Sequence, residues 1–143
     1  MTKERIIAEK ANARTVSDAL WRGLVNFNRA AAGRFRYSRA VLTARDDKGR
    51  IAGGLILESY WNSSYVELLW MSKRARGRGY GRRLMQEAER RARRRGSTLI
   101  HLNTFSFQAP RFYEKLGYEC FGSIRSTPPG ASRHFYIKRL ARA

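Results

Sequence analysis

Apolar and polar positions follow two rhythms along the chain. Residues 39–45 (RAVLTAR), 51–60 and 65–71 are rich in apolar and β-branched residues. The stretches between them, Asp46-Asp-Lys-Gly49 and Asn62-Ser-Ser64, have turn composition, so three strands joined by two hairpins are predicted. From about residue 79 to 95 the rhythm becomes helical. Tyr80, Leu84, Met85, Ala88 and Ala92 fall on one face, Arg83, Glu87, Arg90, Arg91 and Arg94 on the other, and Gly96 supplies a stop. Upstream, Leu20, Trp21, Leu24, Val25 and Phe27 mark a helix from about residue 19 to 31, with Thr15, Ser17 and Asp18 as N-cap candidates. Residues 98–102 predict a strand, 109–116 a short helix, and 118–124 and 134–140 two last strands around Pro128-Pro129-Gly130. Residues 5–8 read as a short first strand. The order β-α-β-β-β-α-β-α-β-β is an α/β mixture, with antiparallel hairpins first and a βαβ unit in the middle.

Length and composition narrow the class. At 143 residues the chain reads as a single domain, residues 1–143, and at 43% hydrophobic and 12% aromatic it can build a core. No apolar run reaches the roughly 18 residues of a membrane span, and the N-terminus lacks the apolar stretch of a signal peptide. The single cysteine, Cys120, excludes an internal disulfide and reads as a small core residue. Cysteine and histidine are too few for a zinc site of their own. The expectation is a cytoplasmic protein with no metal and no membrane contact. Lys plus Arg is 30 against 11 Asp plus Glu, a formal charge of +19. That balance favours anionic partners and leaves nucleic acid open, although the arginine excess also fits a GC-rich genome.

The candidate chemistry lies at Arg74-Ala-Arg-Gly-Arg-Gly-Tyr-Gly-Arg-Arg83, between a strand and a helix. Glycines let backbone approach a ligand, and the first N–H groups and positive end of a helix attract phosphate. The spacing G-x-G-x-G is not the dinucleotide fingerprint G-x-G-x-x-G. Residues 99–103 (LIHLN) also lack the carboxylate expected about 20 residues on. The G-K-[ST] of a nucleoside-triphosphate loop is absent too.

Arg74-x-x-Gly77-x-Gly79 resembles the [RQ]-x-x-G-x-[GA] acetyl-CoA loop of the GNAT acyltransferases. Phe107-Gln-Ala-Pro-Arg-Phe-Tyr-Glu-Lys-Leu-Gly-Tyr118 is similar to the family's A-x-x-F/L-Y-x-K-x-G-F/Y helix, at a fitting interval downstream. The resemblance runs from the first helix to the last strand and looks closest to a bacterial branch of the family. It implies the GNAT fold, a mixed, mostly antiparallel central sheet with flanking helices. It also implies an acetyl-CoA-dependent N-acetyltransferase acting on a primary amine of a small molecule or protein, by direct attack in a ternary complex.

The same resemblance implies roles for individual residues. Backbone N–H groups of about residues 76–82 would hold the coenzyme pyrophosphate. Gly77, Gly79 and Gly81 would be the close-approach positions, with Tyr80 among them. Arg74, Arg76, Arg78 and Arg82 would stand near the phosphates. The strand before the loop would splay from the next parallel strand. The pantetheine arm would then pair with the backbone of Leu69, Trp70 and Met71, which also supplies the oxyanion donor. Tyr113 would return a proton to the leaving thiolate, as a phenol with a pKa near 10. Glu67, with side-chain parity matching Leu69 and Met71, is the candidate base, and Glu58 the runner-up. Where the family often has Asn, this chain has Ser106, which would offer one hydrogen bond to the pantetheine arm, with Asn103 nearby as a substitute. Trp61 and Trp70 are open to two readings, lining of an acceptor pocket and, preferred, core packing.

Two other functions share these residues. One is an acetyltransferase whose acceptor sits on RNA or the ribosome, with the +19 charge as the docking field; the basic run Arg90 to Arg95 reads first as a solvated helix face and second as a contact with nucleic-acid phosphates. The other is a non-catalytic nucleic-acid-binding module of the same fold. A homodimer is also open.

Overall fold

The computed structural model describes residues 3–141. They fall into two compact units that meet in sequence at Phe35 and Arg36.

The first unit holds one helix, α1 (Ala13–Ala32). It starts a turn and a half before the expected point. The Val16 N–H closes onto the Asn12 carbonyl at 2.9 Å, which leaves Thr15, Ser17 and Asp18 inside the helix rather than capping it. Val16 extends the Leu20–Leu24 row by one i, i+4 step, so the amphipathic pattern continues upstream. Residues 5–8 form no strand. Ile6 and Ile7 are adjacent, so a strand would point them to opposite faces, and this unit has no second strand to pair with.

The second unit is a six-stranded sheet in the order β1-β2-β3-β4-β6-β5. Its strands are β1 (Ser38–Arg45), β2 (Ile51–Tyr60), β3 (Ser63–Met71), β4 (Leu99–Phe105), β5 (Glu119–Arg125) and β6 (Ser132–Arg139). Two helices interrupt them, α2 (Tyr80–Arg94) and α3 (Pro110–Lys115). All neighbours are antiparallel except β3 and β4, which α2 joins in parallel. Helix α2 sets Leu84, Met85, Ala88 and Ala92 against Leu55, Leu57, Val66, Ile100 and Leu102 of the sheet. Ala88 and Ala92 are fully buried; their small side chains let the helix backbone close on the strands. The expected Cys120 core position is not found. Cys120 lies exposed on β5, at the sheet edge.

Two irregularities position the site. On β3, Leu57 pairs with Val66 and Ile56 with Leu68, so Glu67 is an extra residue without a partner on β2. The bulge resets the alternation. Val66 faces the α2 core before it and Leu69 and Met71 pack there after it, while Glu67 and Leu68 are both exposed. The expected parity of Glu67 with Leu69 and Met71 is therefore lost. The second irregularity is a splay. The β3–β4 ladder runs only through Ser63↔Leu99, Ser64↔Ile100 and Tyr65↔His101, and then the strands part.

Candidate active site

The glycine loop sits at the end of the parted strand. A 3₁₀ turn, Lys73–Ala75, follows β3, and the Ser72 N–H donates to the Ala52 carbonyl at 2.8 Å, tying the loop to β2. Gly77 and Gly79 have φ of 74° and 80°, the left-handed region where a side chain is strained. The Arg83 N–H donates to the Gly79 carbonyl at 3.1 Å, closing the first turn of α2. The N–H groups of Tyr80, Gly81 and Arg82 precede that bond and have no intrahelical partner. An ideal Cβ on Gly81 would lie 3.3 Å from the Phe112 ring and 4.0 Å from Met71 Cγ. The end of β3, the start of α2 and helix α3 therefore converge at Gly81.

The loop arginines separate by what they touch. The Arg74 guanidinium meets the Asp46 carboxylate at 3.2 Å, so it fastens the loop to the β1–β2 turn. Asp46 also accepts from the Lys48 and Arg50 N–H groups, and these hydrogen bonds, the Arg50 backbone first, hold its carboxyl below the usual range. Arg76 Nε donates to the Met71 carbonyl at 3.3 Å, across the loop base. Arg78 lies in the turn between the two left-handed glycines, and Arg82 in the first turn of α2.

Tyr113 stands on α3 among aromatic rings, with centroids 5.1 Å from Phe112, 6.1 Å from Tyr118 and 6.4 Å from Tyr136. It is buried, and burial pushes its phenol up to about 12, above the value near 10 expected from sequence. Ser106 does not stand free. Its hydroxyl accepts the Ser132 N–H at 3.1 Å, and its own N–H donates to the Ser132 carbonyl at 2.8 Å.

The sheet face opposite α2 carries a polar cluster where β3 and β4 part. Glu67 meets Arg39 at 3.4 Å. Glu58 pairs in register with Arg39 on one side and Tyr65 on the other. The Glu58 carboxyl is raised above its ordinary value, first by burial and then by the charge of Glu67 and a hydrogen bond shared with it. Tyr37 hydrogen-bonds Glu58 as well. Next to them the Tyr65 ring lies 5.0 Å from the His101 ring, and Tyr65 accepts from Asn103 Nδ2 at 3.0 Å. Asn103 Oδ1 in turn accepts from Arg133 Nε at 2.9 Å. Asn103 thus bridges Tyr65 and Arg133. Burial lowers the His101 pKa, which favours its neutral form. Trp70 is 54% exposed, so the core reading of it fails. The place of Tyr65 in this cluster was not visible in the sequence because His101 and Asn103 come from β4, distant in sequence.

Residues 13–118 match the model of the Acetyltransferase (GNAT) family. The chain belongs to that family. A Streptomyces morookaense protein named Blasticidin-S acetyltransferase is 42% identical over 95 residues, covering 66% of this chain and 70% of the relative. Acetyltransferase Atu2258 of Agrobacterium fabrum is 32% identical over 117 residues, 82% of this chain and 85% of the relative. The crystal structure of an acetyltransferase from Bacillus cereus superposes with a TM-score of 0.86 at 31% identity, over 96% of this chain and 98% of that one. The mixed sheet with flanking helices is the GNAT fold, and the chain is an acetyl-CoA-dependent N-acetyltransferase. A GNAT module without chemistry is set aside accordingly. The architecture suits an extended coenzyme: a splayed strand pair with unpaired backbone leads to a glycine loop with free N–H groups. No helix among the described residues is long and apolar enough to cross a membrane.

Proposed function

We propose that residues 1–143 act as one GNAT domain that acetylates a primary amine of a small cationic molecule, by direct attack within a ternary complex. The observation that carries this reading is the Glu58–Glu67 carboxylate pair, set at the β3 bulge on a chain of charge +19. A surface this basic repels cations unless the acceptor pocket holds carboxylates; the pair supplies two, one of them shared with Arg39. The acceptor in the name of the Streptomyces relative, blasticidin S, agrees with a small molecule.

The N–H groups of residues 76–82 hold the pyrophosphate, with Gly77, Gly79 and Gly81 admitting it and Arg76, Arg78 and Arg82 adding charge. The parted edge of β3, Leu69 to Met71, pairs with the pantetheine arm and supplies the N–H for the oxyanion. Ser106 and Arg74 keep supporting roles, Ser106 by holding β4 to β6 and Arg74 by holding the loop to Asp46. The attacking nitrogen loses its proton to the carboxylate pair as the new C–N bond forms. The departing sulfur takes the Tyr113 proton as the C–S bond breaks. A phenol held near 12 keeps its proton at every working pH, while the same shift makes it a weaker acid toward the departing thiolate.

The test is thiol release from acetyl-CoA across a panel of small amines, diamines, guanidine-bearing amines, peptides and RNA-bound acceptors. Saturable turnover confined to small cationic amines supports the reading. Turnover on peptides or RNA-bound acceptors alone would overturn it. So would a melting temperature unmoved by millimolar acetyl-CoA.

A further inference from the structure

The far end of α2 carries a second cationic feature that the acetyl-transfer site does not use. A cavity of about 290 Å³ is lined by Ser38 and Ala40 of β1, Leu57 and Ser59 of β2, and Arg91, Arg94 and Arg95 at the α2 C-terminus. It is remote from the glycine loop. Ser59 and Gly53 mark its end and the loop end of β2, and six residues of strand span about 20 Å.

Arg95 is the unusual member. Its terminal nitrogens donate to the Ser38 hydroxyl at 2.6 Å and to the Arg36 carbonyl, both neutral acceptors. Its Nε is buried and has no hydrogen-bond partner among the described residues. Burial and the nearby Arg36 charge both disfavour its charged form. The Nε is closed off from the cavity, so the donors a ligand can reach are the remaining terminal N–H groups of Arg95 together with those of Arg91 and Arg94, and none of the lining residues is a carboxylate. Ser59 adds a hydroxyl that ends a buried chain, Ser59 to Ser64 at 2.7 Å and Ser64 to Ser97 at 2.8 Å.

Charge sets the kind of anion. No carboxylate lines the cavity, and Glu87, outside it, pairs with Arg91 at 3.0 Å and Arg94 at 3.6 Å. Glu87 is shared with Arg90 as well, at 2.7 Å, so the three lining guanidinium groups keep a positive excess. A phosphate monoester carries about −1.5 to −2 at neutral pH, with oxygens suited to forked guanidinium donors.

We infer that this cavity is a second anion site, receiving the phosphoryl group of free phosphate or of a small phosphate monoester at the opposite end of α2 from the coenzyme loop. The experiment is an NMR titration of the full chain, first saturated with coenzyme A to fill the loop. Inorganic phosphate and a nucleoside monophosphate are added separately, with chloride at matched ionic strength as control. The Arg95 side-chain Nε–Hε signal and the Ser38 and Ser59 amide signals should shift saturably at millimolar phosphate or below, while Gly79 stays still. Tighter binding of the monophosphate identifies a monoester site; equal binding identifies a free-phosphate site. Arg95→Gln should weaken the response about tenfold. Should that variant fail to fold, Arg91→Gln, on an exposed side chain, should still weaken it several-fold. Three results overturn the inference: no saturable shift, a shift unchanged in the folded variants, or a response to an oligonucleotide alone spread along the basic face of α2.

Discussion

The Tyr118 hydroxyl donates to the Glu89 carboxylate across 3.0 Å, tying the residue just past the Tyr113 helix to the middle of α2. Lys138 of β6 joins the same carboxylate at 3.0 and 3.2 Å, and Arg93 approaches to 3.7 Å. One carboxylate therefore fastens α2, the exit of α3 and β6 around the catalytic tyrosine candidate. Glu89→Ala leaves the Lys138 ammonium with the Leu116 carbonyl, at 2.8 Å, as its remaining protein acceptor beneath the helix. Breaking a part-buried pair in this way costs less than the full-burial figure, about 2–3 kcal/mol. Urea denaturation should show a loss of that order, against about 1 kcal/mol for Tyr118→Phe, which removes only a hydrogen bond. A Glu89→Ala loss within 1 kcal/mol of wild type would mean that the cluster is not a structural tie.

Tyr113→Phe keeps the ring packing against Phe112, Tyr118 and Tyr136 and removes only the hydroxyl. Turnover should fall by about 10²-fold or more if the phenol is the acid, with acetyl-CoA affinity little changed. With the phenol held near 12, the wild-type rate should show no alkaline decline from this group below about pH 11. Wild-type turnover in the variant assigns the proton to another donor, and Tyr113 to the core alone.

These residues also show what the sequence conveys. The hairpins, the glycine loop and α2 were legible because each has a local signature: alternation, turn composition, or apolar spacing across consecutive turns. Glu67 was misplaced because a bulge adds one residue to a strand without changing its composition, and every later side chain then changes face. Glu89 stands four residues before Arg93, whereas its stronger partners, Tyr118 and Lys138, lie 29 and 49 residues away and leave no local sign. The engagement of Ser106 by Ser132 was hidden for the same reason, across 26 residues. Local chemistry was readable, whereas partners brought by tertiary folding were not.

The loop makes two separable demands for glycine. Gly79 sits at φ 80° with open space around its Cβ position, so Gly79→Ala meets only backbone strain, about 1 kcal/mol. Gly81 has an ordinary helical backbone but faces the Phe112 ring, so Gly81→Val drives a branched side chain into the junction of β3, α2 and α3. Acetyl-CoA should therefore raise the melting temperature somewhat less in Gly79→Ala, and markedly less in Gly81→Val. Adding Phe112→Ala to Gly81→Val should restore part of the shift. Failure of that rescue would place the effect of Gly81 elsewhere than at the ring.

The carboxylate pair yields a pH signature that also separates the two base candidates. The folded-state pKa of Glu58 is raised above its ordinary 4.5, so the native state binds its proton more tightly than the unfolded chain does. The stabilisation from that proton is fully present below pH 4.5 and is lost as pH rises through the folded value. At neutral pH the native protein holds an unfavourable charge, so Glu58→Gln should melt higher than wild type at pH 7 and lose that advantage near pH 4. In kinetics, if Glu58 is the base, the acid limb of kcat/KM should lie above the usual carboxylate range. If Glu58 is the base, Glu67→Gln removes the neighbouring charge that raises it, and the limb moves to lower pH with activity retained. If Glu67 is the base, the same variant loses the limb and most of the rate. A limb unmoved by either Glu→Gln substitution would exclude both carboxylates and leave an ordered water as the proton acceptor.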